Sequence, residues 1–109
     1  METTIKVSAK SRTSAVAGAI AGVTREHHRA VVQAIGAAAV NQAIKALALA
    51  INYLKGDGIQ VSFVPEMVEV SIEDQVRTAI RLVIEPVSTS AITDRVVLKP
   101  SESESVDAL

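Results

Sequence analysis

Apolar and polar residues alternate from Thr4 to Lys10, with Ile5, Val7 and Ala9 on one side and Lys6, Ser8 and Lys10 on the other. This is the period-two pattern of a half-exposed strand. The period then lengthens. Val16, Ile20 and Val23 recur at helical spacing as far as about His28, behind Ser11, Thr13 and Ser14, whose hydroxyls are expected to cap the helix. Val31 to Ile35, apolar except for Gln33, is a run of the kind a central strand shows when both its faces are covered. From Ala37 to about Leu54, the positions Val40, Ala43/Ile44, Leu47 and Ile51 predict a second amphipathic helix, stopped by Gly56-Asp57-Gly58.

The next segment reads as a long hairpin. Ile59, Val61 and Phe63 stand at odd positions, whereas Val68, Val70 and Ile72 stand at even ones. The inward face therefore changes parity near Pro65-Glu66, and a bulge or break is expected there. Glu73-Asp74-Gln75 makes the turn. Val76, Thr78, Ile80, Leu82 and Ile84 alternate back along the last strand, leaving Arg77, Ala79, Arg81 and Val83 on its other face.

Two glycine features stand out against these patterns. Gly36 joins the second strand to the second helix inside the small-residue block Gln33 to Ala50, which points to close packing against protein or ligand. Gly18 and Gly22 sit four apart on the first helix, where glycine lowers helix stability, so another backbone is expected to approach them.

Composition narrows the class. The chain has 109 residues, 49% of them hydrophobic, enough for the core of one domain. Only Tyr53 and Phe63 are aromatic, so the core is built from Val, Ile, Leu and Ala and is thin; thin cores of this size often gain stability by self-association. There is no cysteine, hence no disulfide frame and no thiolate metal site, as suits a reducing cytoplasm. No apolar run reaches the roughly 18 residues of a membrane span, and no signal segment is read at the N-terminus. Residues 1–86 are expected to form one domain, followed by a Ser-rich acidic tail over 87–109 that is too polar to fold alone, with Arg95 to Lys99 as its one apolar stretch. Residues 1–86 hold nine Lys/Arg against eight Asp/Glu. So near-neutral a body excludes a dense basic coat, and any nucleic-acid contact must come from a local patch.

Several stretches together resemble the stage V sporulation protein S family. They are Lys6-Val7-Ser8-Ala9-Lys10-Ser11, Ser14 to Val23 with Arg25-Glu26, Gln33-Ala34-Ile35-Gly36-Ala37, Val40 to Ala46, and Arg77 to Leu82 through Glu85-Pro86. They lie in collinear order over about residues 5 to 86. The resemblance implies an α+β fold of Alba-like type, β-α-β-α-β-β, with two helices packed on one face of a four-stranded mixed sheet and a long C-terminal hairpin. It also implies a cytoplasmic regulator of sporulation or cell division that self-associates, as a homodimer or homotetramer, and binds DNA or RNA.

The wider Alba-like superfamily places basic residues in the first strand-helix loop, near the glycine after the second strand, and on the hairpin. By position these become Lys10 and Arg12 in the loop and Arg77 and Arg81 on the hairpin. The middle site departs from that pattern: Gln33, Ile35, Ala37 and Ala38 stand where basic residues are expected, which lowers the duplex affinity this chain should have. Lys45, with Asn41 and Gln42, adds polar contacts early in the second helix, whose N-terminal N–H groups suit phosphate oxygens.

Each of these residues also has a plainer reading. Lys6 and Lys10 equally suit a solvated strand face, and Arg77 and Arg81 suit cross-strand ion pairs with Glu73 and Glu69. Gly36, Ala37, Val40, Asn41 and Gln42 read first as a packing surface between subunits.

Catalysis is not expected. His27 and His28 are adjacent and so point to different sides of a helix, better placed to meet the negative helix end than to share a metal. No phosphate-binding loop, nucleophile motif or acidic metal cluster is present, and no cofactor or small-molecule substrate is implied. Glu66, Glu69, Glu73 and Asp74 read as edge charges that discourage aggregation. Two functions remain: an oligomeric nucleic-acid-binding regulator, or a protein-interaction scaffold whose Alba-like surface has lost phosphate affinity.

Overall fold

The computed structural model describes residues 3–87. The elements run β1 (Thr4–Val7), α1 (Thr13–His27), β2 (Ala30–Ala34), α2 (Ala37–Gly56), β3 (Val61–Ile72) and β4 (Gln75–Pro86). The strands form one mixed sheet of order β1-β2-β4-β3, with β1 parallel to β2 and the other pairs antiparallel. This is the expected α+β arrangement. The tail from residue 88 onward, including Arg95 to Lys99, lies outside the described residues.

Side-chain parity shows how the layers meet. Ala30, Val32 and Ala34 of β2 join Val7, Leu82 and Ile84 in one buried cluster with Val16 and Ile20 of α1 and Leu47 and Leu54 of α2. Both helices therefore lie on one face of the sheet. Ala17, Ala21, Ala43, Ala46 and Ala50 are fully or almost fully buried where the helices meet each other and the sheet. Side chains this small let the two layers approach closely, which is how a core with few aromatics reaches dense packing.

Several helix expectations change in detail. The N-cap of α1 is Arg12, with no side-chain cap bond; Ser11 instead ties its own loop. The helix ends at His28 in the left-handed region (φ 58°), whose backbone N–H donates to Thr24 O at 2.9 Å. Buried Thr24 satisfies its hydroxyl by donating to Ile20 O at 2.8 Å. Gly18 and Gly22 are exposed, and beyond their own helix turn none of the described residues lies within 4 Å of where their Cβ atoms would be, so no described backbone makes the expected approach. On α2 the buried stripe is Ala39, Ala43, Ala46, Leu47, Ala50 and Leu54, which leaves Ile44 on the outside. Alanine won the inward positions because the space beneath the helix is shallow.

Gly36 has a backbone explanation. Its φ of 91° and ψ of 153° fall in a region essentially closed to residues with a Cβ, yet a Cβ there would meet nothing within 4 Å. The conformation, not a close neighbour, demands glycine. The sharp corner lets β2 leave the sheet and α2 start at once, with Val40 N–H donating to Gly36 O at 3.0 Å.

The hairpin contains no bulge. Its register is unbroken from Val61↔Pro86 through Pro65↔Leu82 to Ile72↔Gln75. Pro65 is tolerated because β3 is an edge strand and its missing N–H breaks no ladder bond that matters. The parity change has another cause. Odd residues of β3 share the helix side with Ile80, Leu82 and Ile84, while even residues share the open side with Ala79, Arg81 and Val83. The apolar set moves from the first side to the second as the hairpin leaves the helices behind. The turn itself has two residues, Glu73 (φ 49°) and Asp74 (φ 64°), both left-handed as a tight type I′ hairpin requires. Gln75 is already in the strand.

Candidate nucleic-acid interface

Polar residues on the open face line up across all four strands. Lys6 pairs in register with Gln33, Gln33 with Arg81, and Arg81 with Glu66. The adjacent row, Thr4, Val31, Val83 and Val64, is mostly apolar. Arg81 is thus opposite Glu66, and Arg77 opposite Val70, not opposite Glu69 and Glu73 as the sequence suggested. Glu69 faces Thr78, and Glu73 is in the turn.

Beside the polar row lies a cleft of ≈ 420 Å³, walled on one side by Lys6 to Ala9, floored by Gln33 and Ile35, and closed on the other by Val70 to Ile72. β1 and β3 are opposite edges of the sheet, so the coil of the long hairpin must swing its distal half back towards the end of β1. Val68, Val70 and Ile72, the residues behind the parity change, are on this side.

The rim of the cleft is a structured loop. Ser11 N–H donates to Ser8 O at 3.1 Å, Ser8 N–H donates to Ser11 Oγ at 2.8 Å, and Lys10 N–H donates to Ser8 Oγ at 3.2 Å. These bonds close a tight turn with Lys10 near its apex. Arg12 follows as the first cap of α1, and both side chains are exposed. A helix away, half-buried Gln42 donates from Nε2 to Ser11 O at 2.9 Å and lies 3.4 Å from Thr13 Oγ1. Ser11 was expected to cap α1; its Ser-x-x-Ser spacing from Ser8 is the signal for the turn, and nothing in the sequence signals the partner in α2.

The structure gathers some of the expected residues and separates others. Lys10 follows directly on the cleft wall, Arg81 is in register with the floor residue Gln33, and Arg77 is in register with the wall residue Val70. Lys45 is exposed about two turns into α2 and does not line the cleft. Within the group read as a subunit surface, Val40 packs against the core and Gln42 bonds inside the chain. Asn41, Gly36 and Ala37 are exposed. Ile35 borders the cleft, so the α2 N-terminus with its unbonded N–H groups opens near it.

Charge separates the loop from the hairpin. From Thr3 to Thr24 there are three basic residues, Lys6, Lys10 and Arg12, and no carboxylate. The hairpin instead opposes Arg77 and Arg81 with Glu66, Glu69, Glu73 and Asp74. Elsewhere the exposed cations Arg25 and Arg29 are held by Asp57 (2.6 Å) and Glu85 (3.0 Å). Among the described residues no group of three or more His, Cys, Asp or Glu is placed to hold a metal ion, and no helix is long and apolar enough to cross a membrane.

The family model of stage V sporulation protein S matches residues 3–87, the span that carries the helices, the sheet and the cleft.

Proposed function

Since the chain belongs to the stage V sporulation protein S family, we propose that it acts in sporulation as a nucleic-acid-binding regulator that works as an oligomer. One observation carries this reading: Lys6, Lys10 and Arg12 share a stretch of chain without a carboxylate, Lys6 on β1 and Lys10 and Arg12 on and just after a hydrogen-bonded turn at the rim of an open cleft. Phosphate contacts are made by Lys and Arg whose positions are held, and they need no deep pocket. In this reading Lys10 and Arg12 meet the backbone of the nucleic acid, Arg77 contributes from beside the opposite wall and Arg81 from beside the floor, and Lys45 extends the contact along α2.

Fluorescence anisotropy with duplex DNA, single-stranded DNA and RNA over a salt series tests it. The Lys10→Ala/Arg12→Ala variant is expected to bind more weakly on every sequence and to lower the slope of log affinity against log salt by about 2. Absence of binding at low salt refutes the reading. The second reading, a protein-interaction scaffold, is supported by the apolar side chains the hairpin leaves in solvent, Met67 (76% exposed) and Val76 (69%) among them. Substituting both with Ser separates the two: lost self-association with unchanged nucleic-acid affinity assigns the hairpin to protein contacts.

A further inference from the structure

Gln42 occupies an unusual place for an amide on a helix surface. It is half-buried, and its Nε2 reaches out of α2 to the loop that precedes α1, donating to Ser11 O at 2.9 Å with Thr13 Oγ1 at 3.4 Å. Ser11 is also one anchor of the turn that carries Lys10, through Ser11 N–H to Ser8 O and Ser8 N–H to Ser11 Oγ. A hydrogen bond network thus runs from α2 through Ser11 to Ser8 and on to the Lys10 backbone at 3.2 Å. Among the described residues neither Lys10 nor Arg12 is in an ion pair, so the backbone of the turn sets where their charges lie.

We infer that Gln42 is a positioning residue for the proposed phosphate contact: it holds the Ser8–Ser11 turn against α2 and so presents Lys10 and Arg12 in one arrangement at the cleft. The inference rests on the nucleic-acid reading above and adds to it a residue that touches no phosphate. Preorganisation matters because a loose loop must lose its freedom on binding, at the expense of affinity. Gln suits the task since its amide supplies a donor at the end of a stem that packs along the helix, whereas Lys in its place would add charge and Met would remove the donor.

The test is a coupling experiment with Gln42→Met, which keeps length, neutrality and helix propensity but lacks the N–H. In the wild-type background it is expected to weaken nucleic-acid binding roughly 3- to 10-fold, the scale of one ordinary hydrogen bond. In the Lys10→Ala/Arg12→Ala background it is expected to change affinity less than about 1.5-fold, because there is no charge left to position. Independently of any ligand, amide exchange at Lys10 and Ser11 measured by NMR should accelerate several-fold in Gln42→Met, while core amides of β2 keep their protection. Ser11→Ala, which loosens the turn from its own side without touching α2, should reproduce both effects. Equal losses in the two backgrounds, or unchanged exchange at the turn, overturn the positioning role while leaving the nucleic-acid reading intact. A wild-type chain that binds neither DNA nor RNA at low salt overturns both; the exchange data then still report whether the amide holds the loop.

Discussion

β4 passes through two environments in twelve residues. From Ile80 to Ile84 it is flanked by β2 and β3 and covered by both helices, and Leu82 and Ile84 are almost completely buried. From Gln75 to Thr78 it has β3 alone as a neighbour, and Val76 stands in solvent. The alternation of side chains is the same in both halves. What differs is whether anything lies on the face to which the apolar side chains point. A strand pattern therefore tells which residues share a side, and the neighbouring elements decide whether that side is core or surface.

The comparison breaks most visibly under truncation. Leu82→Ala should cost about 2–5 kcal/mol of unfolding free energy, since it empties a filled site, while Val76→Ala should cost less than about 0.5 kcal/mol. Chemical denaturation of the two variants measures the gap; similar losses would mean that the distal hairpin is covered by a partner in solution. Gly36→Ala probes the corner between body and cleft. Because a Cβ has room but the backbone does not permit it, destabilisation of about 1–3 kcal/mol is expected, with the midpoint shifted and the denaturant slope unchanged. The smallest effect belongs to the tip. Replacing Glu73-Asp74 by Asn-Gly, which accepts left-handed backbone at both turn positions, should stabilise by about 1 kcal/mol or less, read as a small rise in melting temperature. A loss there would show that the acidic pair has a role the turn geometry does not require.

Much of the fold was legible because local periods are a direct consequence of backbone geometry. Ile5 and Val7, then Val16 and Ile20, then Val32 and Ala34 mark strand, helix and strand before any partner is known. The resemblance carried by Lys6 to Ser11 and Gln33 to Ala37 supplied the four-stranded mixed sheet with both helices on one face; the strand order came from the structure. The site was less legible. Lys10 and Arg12 were identifiable from their loop, but the register that sets Arg81 between Gln33 and Glu66 depends on a hairpin turn of two residues, where three were expected. The expected pairs Arg77–Glu73 and Arg81–Glu69 need a register three positions further along β3 than the one the Glu73-Asp74 turn sets, so the ion-pair partners read from sequence were displaced together. Gln42 looked like a subunit contact because its neighbours are small and apolar; its actual partners, Ser11 and Thr13, are about thirty residues away in the chain and adjacent only after α1 docks on α2.

By itself the sequence determined the kinds of element, their order, and the glycine at the β2–α2 corner, since each rests on short-range sterics and side-chain period. Tertiary structure decided the rest. Two packed helices chose alanine rather than Ile44 for the inner stripe of α2, an uninterrupted ladder replaced the expected bulge, and the coil of the hairpin brought Val70 to Ile72 across the sheet to face Lys6 and Ser8. Burial and register depend on which surfaces meet in space, and that is a property of the assembled layers rather than of any one segment.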